Sequence, residues 1–324
     1  MDFGVIGLGN HAVNRVMPAI LESGNRITAV YSRKMEKAKT EGARYGAKPF
    51  DDLKEMIRSG LFDAAYIASP NFLHYEHAKS VLENDKHVLL EKPMTLRDDE
   101  AASLVELSKS SKHKLFVGFH MRFNPAVMEA REIVRSGRLG KIVFASGTWA
   151  GSSSSSSYEE SRKWWTEGEK VGGGSIMGTG VHVLDTMNFI IGSHPESVMA
   201  YRNPEKEPID LTFSMLLSYG STKALALSSR EVANPRNDLV ILGTTGSIIV
   251  RGVFSTVVNC SLELNGNPPK RFENQNVYVN EIKGFVDAVK SGKGQIANAS
   301  DGEIVVRTVN AAVKSSIDGK RYVI

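Results

Sequence analysis

Short apolar runs alternate with amphipathic stretches over the first 120 residues of the chain. The apolar runs, rich in Val, Ile, Leu, Ala and aromatic residues, are 3–6, 27–31, 64–68, 87–90 and 115–119. Strands that are buried on both faces have this composition. Between the runs, apolar residues recur at helical spacing near 12–22, 34–45, 51–59, 74–84 and 97–112. This alternation predicts right-handed crossovers and a doubly wound parallel sheet.

After about residue 122 the pattern changes. A helix is predicted over 125–136, and it leads into an apolar segment at 141–150. Strand-like segments in which apolar and polar residues alternate follow near 196–203, 209–219, 222–232, 238–251 and 257–264. Such alternation is typical of antiparallel strands with one covered face. Two helices, near 278–291 and 301–316, complete the chain.

The fold class predicted from these patterns is α/β with two domains. A chain of 324 residues is long enough for two cores. We expect a doubly wound parallel-sheet domain over 1–122 and an α+β domain with a large, mostly antiparallel sheet over 123–324.

Composition narrows the class of protein. The single cysteine, Cys260, excludes an internal disulfide and a site built from several cysteines, and we expect no metal. There is no apolar run long enough to span a membrane, and the first ten residues lack the basic region of a signal peptide. The expected location is therefore the cytoplasm. A net charge of +4, spread along the chain, gives no basic face for a nucleic-acid partner.

A glycine-rich turn follows the first predicted strand. The sequence GLGNHA at 7–12 is a G-x-G-x-x-A version of the dinucleotide fingerprint and opens a predicted helix. The first glycine permits the tight turn, and the second lets backbone N–H groups approach a pyrophosphate at the helix N-terminus. The predicted cofactor-binding residues of this turn are Gly7, Gly9, Asn10, His11 and Ala12.

The end of the second predicted strand bears on the choice of cofactor. An acid there would accept a hydrogen bond from the ribose 2′-OH of NAD, whereas basic or hydroxyl residues suit the 2′-phosphate of NADP. The chain has Ser32, Arg33 and Lys34, with no acid before Glu36. The residues favour NADP, with NAD as the other possible cofactor. The alternative is that Arg33 and Lys34 are solvated loop residues.

Three further motifs follow in order: ASPNFLH at 68–74, EKP at 91–93 and GGGSIMGTGVHVLD at 172–185. With the glycine turn, with GFHMRFNP at 118–125 and with ILGTTGS at 241–247, they resemble the glucose–fructose oxidoreductase, inositol dehydrogenase and rhizopine-catabolism (Gfo/Idh/MocA) family over nearly the whole chain. The resemblance implies a Rossmann domain followed by a substrate-binding and oligomerisation domain. It also implies a homodimer or homotetramer that forms through the second sheet.

The resemblance assigns roles to individual residues. Lys92 takes the family position beside the nicotinamide and the substrate hydroxyl, before a proline whose peptide bond is often cis. His182 matches the family histidine, and Asp185 follows it one helical turn later, near enough to orient a neighbouring group. The predicted catalytic residues are Lys92, His182 and Asp185. The positions that match the cofactor pocket are Ser69, Asn71, His74, Glu91, Lys92 and Arg122.

Two features leave alternatives open. Trp164 and Trp165 either wall the substrate pocket or pack in the core, and they are predicted substrate-binding residues together with Lys92 and His182. The family usually has Asp four residues before its histidine, but position 178 here is glycine. This departure places the usual proton relay in question.

The predicted function is NADP-dependent transfer of a hydride between the nicotinamide and a secondary alcohol or carbonyl of a sugar, cyclitol or related small molecule. The reaction needs a group that takes up the hydroxyl proton, and His182 and Lys92 are suited to that task. The alternative is a regulatory or scaffolding protein that binds the dinucleotide with reduced catalysis, which the missing Asp favours. Retention of both Lys92 and His182 argues against that alternative.

Overall fold

The computed structural model describes residues 1–152 and 167–324. In chain order the strands are β1 (Asp2–Ile6), β2 (Arg26–Tyr31), β3 (Lys48–Phe50), β4 (Ala64–Ile67), β5 (His87–Leu90), β6 (Leu115–Val117), β7 (Ile142–Ala150), β8 (Ser197–Asn203), β9 (Thr212–Tyr219), β10 (Thr222–Ser229), β11 (Leu239–Gly243), β12 (Ser247–Arg251), β13 (Asn259–Leu264), β14 (Lys270–Glu273), β15 (Ala297–Asn298) and β16 (Tyr322–Val323).

The α-helices are α1 (Met17–Glu22), α2 (Met35–Tyr45), α3 (Leu53–Arg58), α4 (His74–Leu82), α5 (Asp98–Ser110), α6 (Pro125–Arg135), α7 (Gly168–Val171), α8 (Val181–Ile191), α9 (Val277–Ser291) and α10 (Ala299–Asp318). Two of them are preceded by a π-helical turn, Ala12–Val16 before α1 and Ile176–Gly180 before α8. Such turns occur preferentially at functional sites.

The chain divides into two compact units. The first unit comprises Met1–His120 and Tyr278–Glu303, and the second comprises Met121–Val277 and Ile304–Ile324. The segment at 278–303 differs from the predicted division, which gave everything after residue 122 to the second domain. It joins the first unit because β15 pairs with β6 and Phe285 on α9 packs against Phe3 and Phe116.

The first unit contains a seven-stranded sheet in the order β15-β6-β5-β4-β1-β2-β3. All of its strands run parallel except β15 at the edge. This is the predicted doubly wound Rossmann arrangement. The short strand β3, whose Lys-Pro-Phe sequence has no clear apolar pattern, was not predicted. The carboxyl ends of β1, β2, β4 and β5 lie side by side at one edge, which is where ligands bind in open parallel sheets.

The second unit contains a nine-stranded sheet in the order β14-β13-β12-β11-β7-β10-β9-β8-β16. Among the described strands only the β7–β10 pair is parallel, so the predicted mostly antiparallel sheet is confirmed. The segment predicted at 238–251 forms two strands, because residues 244–246 turn the chain back and pair β11 with β12. One face of the sheet is buried; Phe213, Met215 and Ala226 lie on it, and helix α8 packs against β7 and β10.

Candidate functional site

The glycine turn after β1 is constrained by its neighbours. Gly7 has φ +95, and a Cβ at this position would lie 2.7 Å from the backbone of Ala68. Its N–H donates to the carbonyl of Tyr31 at 3.1 Å. A side chain would therefore collide with the segment after β4 in a conformation that already disfavours it. The geometry explains why the first residue of the fingerprint is glycine.

Gly9, in contrast to Gly7, has open space where a side chain would stand. Apart from Gly9 itself and the adjoining backbone, no atom of the described residues lies within 4 Å of the place where a Cβ would stand. The residue is exposed at the start of the first helix, and its carbonyl accepts from the N–H of Val13 at 3.0 Å. The turn thus presents open backbone at a helix N-terminus, which fits the pyrophosphate of a dinucleotide.

The end of β2 presents two cations to solvent. Arg33 and Lys34 are exposed, and the N–H of Lys34 donates to the hydroxyl of Ser32 at 3.2 Å. The first acid after Lys34 in the chain is Glu36, and its Oε1 lies 3.0 Å from Nζ of Lys39. The carboxyl end of this strand therefore offers a hydroxyl and positive charge, as the sequence predicted.

His77 lies at the same edge and was not predicted. Its Nδ1 is 3.0 Å from the hydroxyl of Ser69, and its ring meets the Tyr31 ring edge-on at 6.2 Å between centroids. Burial, together with the nearby charges of His74 and Arg33, lowers the pKa of His77 to about 4. The ring is therefore neutral at physiological pH. Its place one helical turn after His74 was the only signal in the sequence.

The side chain of His74 connects two of the predicted motifs, the one after β4 and the one after β5, through a contact with a backbone carbonyl in each. Its Nδ1 lies 2.7 Å from the carbonyl oxygen of Pro93, and its Nε2 lies 2.8 Å from that of Ser69. Burial lowers the pKa of this histidine, while the two carbonyls oppose the shift. The imidazole joins the turn after β4 to the Lys92–Pro93 turn after β5. Asn71, in the same turn, is also buried.

Glu91 connects the glycine turn to the end of β5. Its Oε1 lies 3.2 Å from Nε2 of His11 and accepts from the hydroxyl of Tyr66 at 2.6 Å, while its Oε2 accepts from the N–H of Lys92 at 3.3 Å. Burial alone would raise its pKa, but His11, Lys92 and Tyr66 outweigh that effect and hold it at about 2. The carboxylate is therefore ionised, and Tyr66 is a contributor that the sequence did not reveal.

Lys92 is half-buried beside this carboxylate, and its peptide bond to Pro93 is cis. The resemblance implied such a bond. The position at the carboxyl end of β5 places Lys92 at the same sheet edge as Gly7, Ser32 and Ser69. The predicted cofactor-binding residues of the first unit thus line one edge.

A second acid, Glu281 on α9, is buried near Glu91 and was not predicted from the sequence. Its side chain is 1% exposed, and burial, assisted by the charge of Glu91, raises its pKa well above the ordinary value. It shares the helix face of Tyr278, Ile282 and Phe285. A charged residue on an apolar helix face was the available signal. The first unit therefore holds two buried acids whose pKa values are shifted in opposite directions.

His120 packs against the Tyr278 ring at 4.9 Å between centroids. Burial lowers its pKa to about 3, so this histidine is neutral. His120 is part of the motif at 118–125 and was not predicted as a site residue.

In the second unit Asp185 is held by Arg122. The guanidinium donates from Nη2 to Oδ1 at 2.6 Å and from Nε to Oδ2 at 2.9 Å, and both side chains are buried. Arg122 also lies over the Phe189 ring, 5.0 Å from its centroid. This ion pair anchors α8 to the segment that precedes α6. The catalytic part assigned to Asp185 and the cofactor contact assigned to Arg122 stay predictions.

His182 lies in the first turn of α8 and is 3% exposed. Its ring packs on that of Trp149 with 5.2 Å between centroids. Trp149 in β7 was not predicted to take part. The two tryptophans that were predicted, Trp164 and Trp165, lie outside the described residues.

The glycine triplet before α8 is shaped by Asp210. A Cβ on Gly174 would lie 1.7 Å from the Asp210 carbonyl oxygen. The Asp210 carboxylate accepts from the N–H of Gly174 at 2.6 Å, the hydroxyl of Ser175 at 2.5 Å and the N–H of Ile176 at 3.0 Å. It thereby caps the start of the helical segment that carries His182. Nothing local in the sequence around residue 210 indicates this role.

Position 178, the departure from the family pattern, faces a cation. A Cβ on Gly178 would lie 3.2 Å from Nη2 of Arg230. Arg230 follows β10 and was not predicted as a site residue.

The described residues contain neither a membrane-spanning helix nor a cluster of metal ligands. Across 1–152 and 167–324 no helix has the length and apolar character needed to cross a membrane. In the same ranges no group of three His, Cys, Asp or Glu side chains is placed to hold a metal ion.

Comparison with known proteins identifies the family. Residues 1–119 match the Gfo/Idh/MocA oxidoreductase family with its NAD-binding Rossmann fold, and residues 127–249 match the C-terminal domain of the same family. The chain belongs to the Gfo/Idh/MocA family and is an NAD(P)-dependent oxidoreductase.

Curated relatives and solved structures agree with this assignment. The chain is 24% identical to a D-xylose 1-dehydrogenase [NADP(+)] of Haloarcula marismortui over 97% of this chain and 90% of the relative. It is 28% identical to the scyllo-inositol 2-dehydrogenase (NADP(+)) IolU of Bacillus subtilis over 76% of this chain and 75% of the relative. The aldose-aldose oxidoreductase of Caulobacter crescentus has the same fold, with a TM-score of 0.88, 22% identity and coverage of 100% and 99% of the two chains.

Two glycine substitutions separate a folding role from a binding role. Gly7→Ala should lower the free energy of unfolding by about 2 kcal/mol or more, because the side chain meets backbone at positive φ. Gly9→Ala should leave the melting temperature of the apoprotein unchanged and weaken dinucleotide binding, since its methyl group enters the open space. Thermal unfolding and fluorescence titration with NADPH measure the two effects. Equal melting temperatures for the two variants would contradict the assignment of Gly7.

Proposed function

We propose that this chain transfers a hydride between NADP and a secondary alcohol or carbonyl of a sugar, cyclitol or related small molecule. The observation that carries the proposal is the edge of the first sheet, where the open backbone at Gly9, the cations after β2 and Lys92 stand at the ends of neighbouring strands. The names of the sugar and inositol dehydrogenases among the relatives support the substrate class.

The preference for NADP rests on charge. Arg33 and Lys34 are exposed at the end of β2, and the carboxylate of Glu36 faces Lys39 instead of that position. A guanidinium binds a phosphate through forked hydrogen bonds, and Lys adds a point charge. NAD remains the alternative cofactor.

Bound NADP supplies the group that accepts or donates the hydride. The chain must position the substrate and handle the hydroxyl proton. We assign to Lys92 the stabilisation of negative charge on the substrate oxygen and a share of the proton transfer. His182, buried against Trp149, is the second proton-handling group. Gly178 provides no carboxylate to assist His182, so Lys92 takes the larger share.

The competing function is a dinucleotide-binding regulatory or scaffolding protein with reduced catalysis. The absence of a carboxylate at residue 178 favours it, and the retention of Lys92 and His182 disfavours it. The two functions differ in one measurable result, because only the enzyme couples NADPH oxidation or NADP⁺ reduction to a substrate.

We further propose that the second sheet pairs with another copy of this chain. On its uncovered face, cross-strand neighbours form an apolar row of Met199, Leu216, Leu225, Val240 and Ile249, interrupted by one serine of β7. Leu216 is 48% exposed and Leu225 is 45% exposed. A two-fold interface buries the same patch on both copies, which suits a flat sheet face. The cytoplasm stays the location expected from the sequence.

Lys92→Met should fold normally and lower kcat by roughly a thousandfold or more on whichever substrate is active, and His182→Ala should lower it by less. Turnover with NADP⁺ and NADPH is measured on a panel of sugars, cyclitols and dicarbonyl compounds. Lys86→Met is the matched control, since Lys86 in the same unit donates to the carbonyl of Phe62. Wild-type turnover by folded Lys92→Met would refute the assignment. NADPH binding without turnover on any compound would favour the regulatory function.

Arg33→Ala should weaken NADPH binding by roughly ten- to a hundredfold and leave NADH binding nearly unchanged, because only NADPH carries the 2′-phosphate. Equilibrium titration of both cofactors tests this. Arg44→Ala serves as the control, because Arg44 is exposed on α2 and pairs with Glu41. Equal affinities of the wild-type protein for NADPH and NADH would show that the preference is wrong.

Leu216→Asp should convert the assembly to a single chain, because a charge at the centre of the apolar row cannot be buried unpaired. Light scattering after size exclusion measures the mass. Leu21→Asp, at a leucine of the first unit that is 45% exposed, should leave the mass unchanged. A wild-type protein with the mass of one chain would contradict the proposed interface.

A further inference from the structure

His77 lies at the strand end that carries the two exposed cations. It is on α4, one helical turn after His74, and its ring meets the Tyr31 ring at the end of β2 edge-on, with 6.2 Å between centroids. Arg33 follows Tyr31 by two residues. Burial raises the pKa of Tyr31 and lowers that of His77, and the positive charge of Arg33 acts on both groups as well. The imidazole and the guanidinium are therefore close to each other.

Ser69 holds one side of the imidazole. Nδ1 of His77 lies 3.0 Å from the hydroxyl oxygen of Ser69, which follows β4 and is 8% exposed. The backbone of Ser69 is held in turn, because its carbonyl oxygen lies 2.8 Å from Nε2 of His74. The hydrogen bond to Ser69 and the edge contact with Tyr31 together fix the orientation of the His77 ring. A ring held in this way is organised before any ligand arrives.

The second ring nitrogen of His77, Nε2, is available to a ligand. In the part of the chain that the structure describes, no hydrogen bond engages this atom, and the residue is half-buried. Burial, with the charges of His74 and Arg33, lowers the pKa of His77 to about 4, so the neutral ring carries one hydrogen. The hydrogen bond at one nitrogen decides which of the two carries it. A Ser69 hydroxyl that donates to Nδ1 makes Nε2 a donor.

A donor beside Arg33 suits the 2′-phosphate of NADP. A phosphate monoester has three acceptor oxygens and nearly two negative charges, whereas a guanidinium fork engages two oxygens at most. At least one oxygen is thus left for another donor. A hydrogen bond to a charged acceptor is stronger than one to a neutral hydroxyl. An imidazole N–H in this place therefore favours NADP over NAD without adding a further positive charge.

We propose that His77 determines the cofactor specificity together with Arg33, because its Nε2–H donates to an oxygen of the adenosine 2′-phosphate. Ser69 selects the tautomer by donating to Nδ1 and is a positioning residue, since it acts through His77. This inference rests on the proposed preference for NADP. It adds a neutral, oriented donor to the cations at the end of β2.

Two substitutions separate the two ring nitrogens. The amide nitrogen of Gln can take the place of a histidine Nε2, whereas the shorter Asn side chain reaches only the place of Nδ1. His77→Asn should weaken NADPH binding by roughly ten- to a hundredfold and change NADH binding by less than about threefold. His77→Gln should keep NADPH affinity within about threefold of wild type. Equilibrium fluorescence titration with each cofactor measures the affinities.

His87→Asn is the matched control. His87 belongs to the same unit but lies at the amino end of β5, and its Nδ1 accepts from the N–H of Lys114 at 3.2 Å. This variant also removes an imidazole that is hydrogen-bonded through Nδ1. It should leave the affinities for NADPH and NADH unchanged.

The ring nitrogens of His77 report the contact directly in the wild-type chain, so this measurement does not depend on the folding of a variant. In protein labelled with ¹⁵N at histidine, Nε2 of the apoprotein should have the NMR shift of a protonated nitrogen and Nδ1 that of an acceptor. NADPH should move the Nε2 signal, and NADH should leave it nearly unchanged. Ser69→Ala should redistribute the hydrogen between the two nitrogens, which a loss of packing alone would not do.

The outcomes separate the inference from the function on which it rests. Equal affinities of the wild-type protein for NADPH and NADH contradict the proposed cofactor preference, and the inference fails with it. A preference for NADPH that persists in folded His77→Asn overturns the inference and leaves the proposed function intact. Equal losses for both cofactors show a structural role of His77, and equal losses in the Asn and Gln variants exclude Nε2. Either result overturns the proposal, as does an Nε2 signal that NADPH does not move.

Discussion

A buried negative charge at the end of β5 holds the candidate cofactor site together. A carboxylate in the protein interior is tolerated only when several donors or cations surround it. Glu91 meets that condition with His11 from the glycine turn, Tyr66 from β4 and the N–H of Lys92. These partners come from three segments of the chain. The positions of the glycine turn, of the middle strands and of Lys92 therefore all depend on one ionised group.

The pKa of Glu91 makes this dependence sensitive to acid. A carboxyl group whose pKa falls from 4.5 to about 2 on folding stabilises the folded state at every pH above the higher value. This shift of the pKa contributes about 3 kcal/mol to the free energy of unfolding, and the contribution is lost progressively as the pH falls from about 4.5 towards 2. The effect of Glu281 on stability has the opposite sign. Its pKa is raised in the folded state, so Glu281 destabilises the folded state as the pH rises above 4.5. Above pH 4.5 the contributions of these two acids to the stability of the folded state therefore have opposite signs.

The sequence predicted well what local patterns encode. Strand–helix alternation gave the parallel sheet and its four site-bearing strand ends, and the glycine spacing gave a turn whose two glycines have clearly different surroundings. What it missed arises from contacts between distant segments. Asp210 caps the turn before α8 from 34 to 36 residues away, and Tyr66 reaches Glu91 across 25 residues. Helix α9 belongs to the first unit because Phe285 packs against Phe3 and Phe116. The spacing of apolar residues along the chain does not predict this packing.

The central claim is that the charge of Glu91, and not merely its shape, maintains the cofactor site. Glu91→Gln and Glu281→Gln form a matched pair, since each removes one buried acid of the first unit and keeps its size. NADPH affinity by titration should fall by roughly tenfold or more in Glu91→Gln, because an amide does not replace a carboxylate opposite His11 and Tyr66. It should stay within about twofold of wild type in Glu281→Gln, because burial favours the neutral form of this acid and an amide is neutral as well. Wild-type NADPH affinity in a folded Glu91→Gln protein, or equal losses in the two variants, would contradict the account.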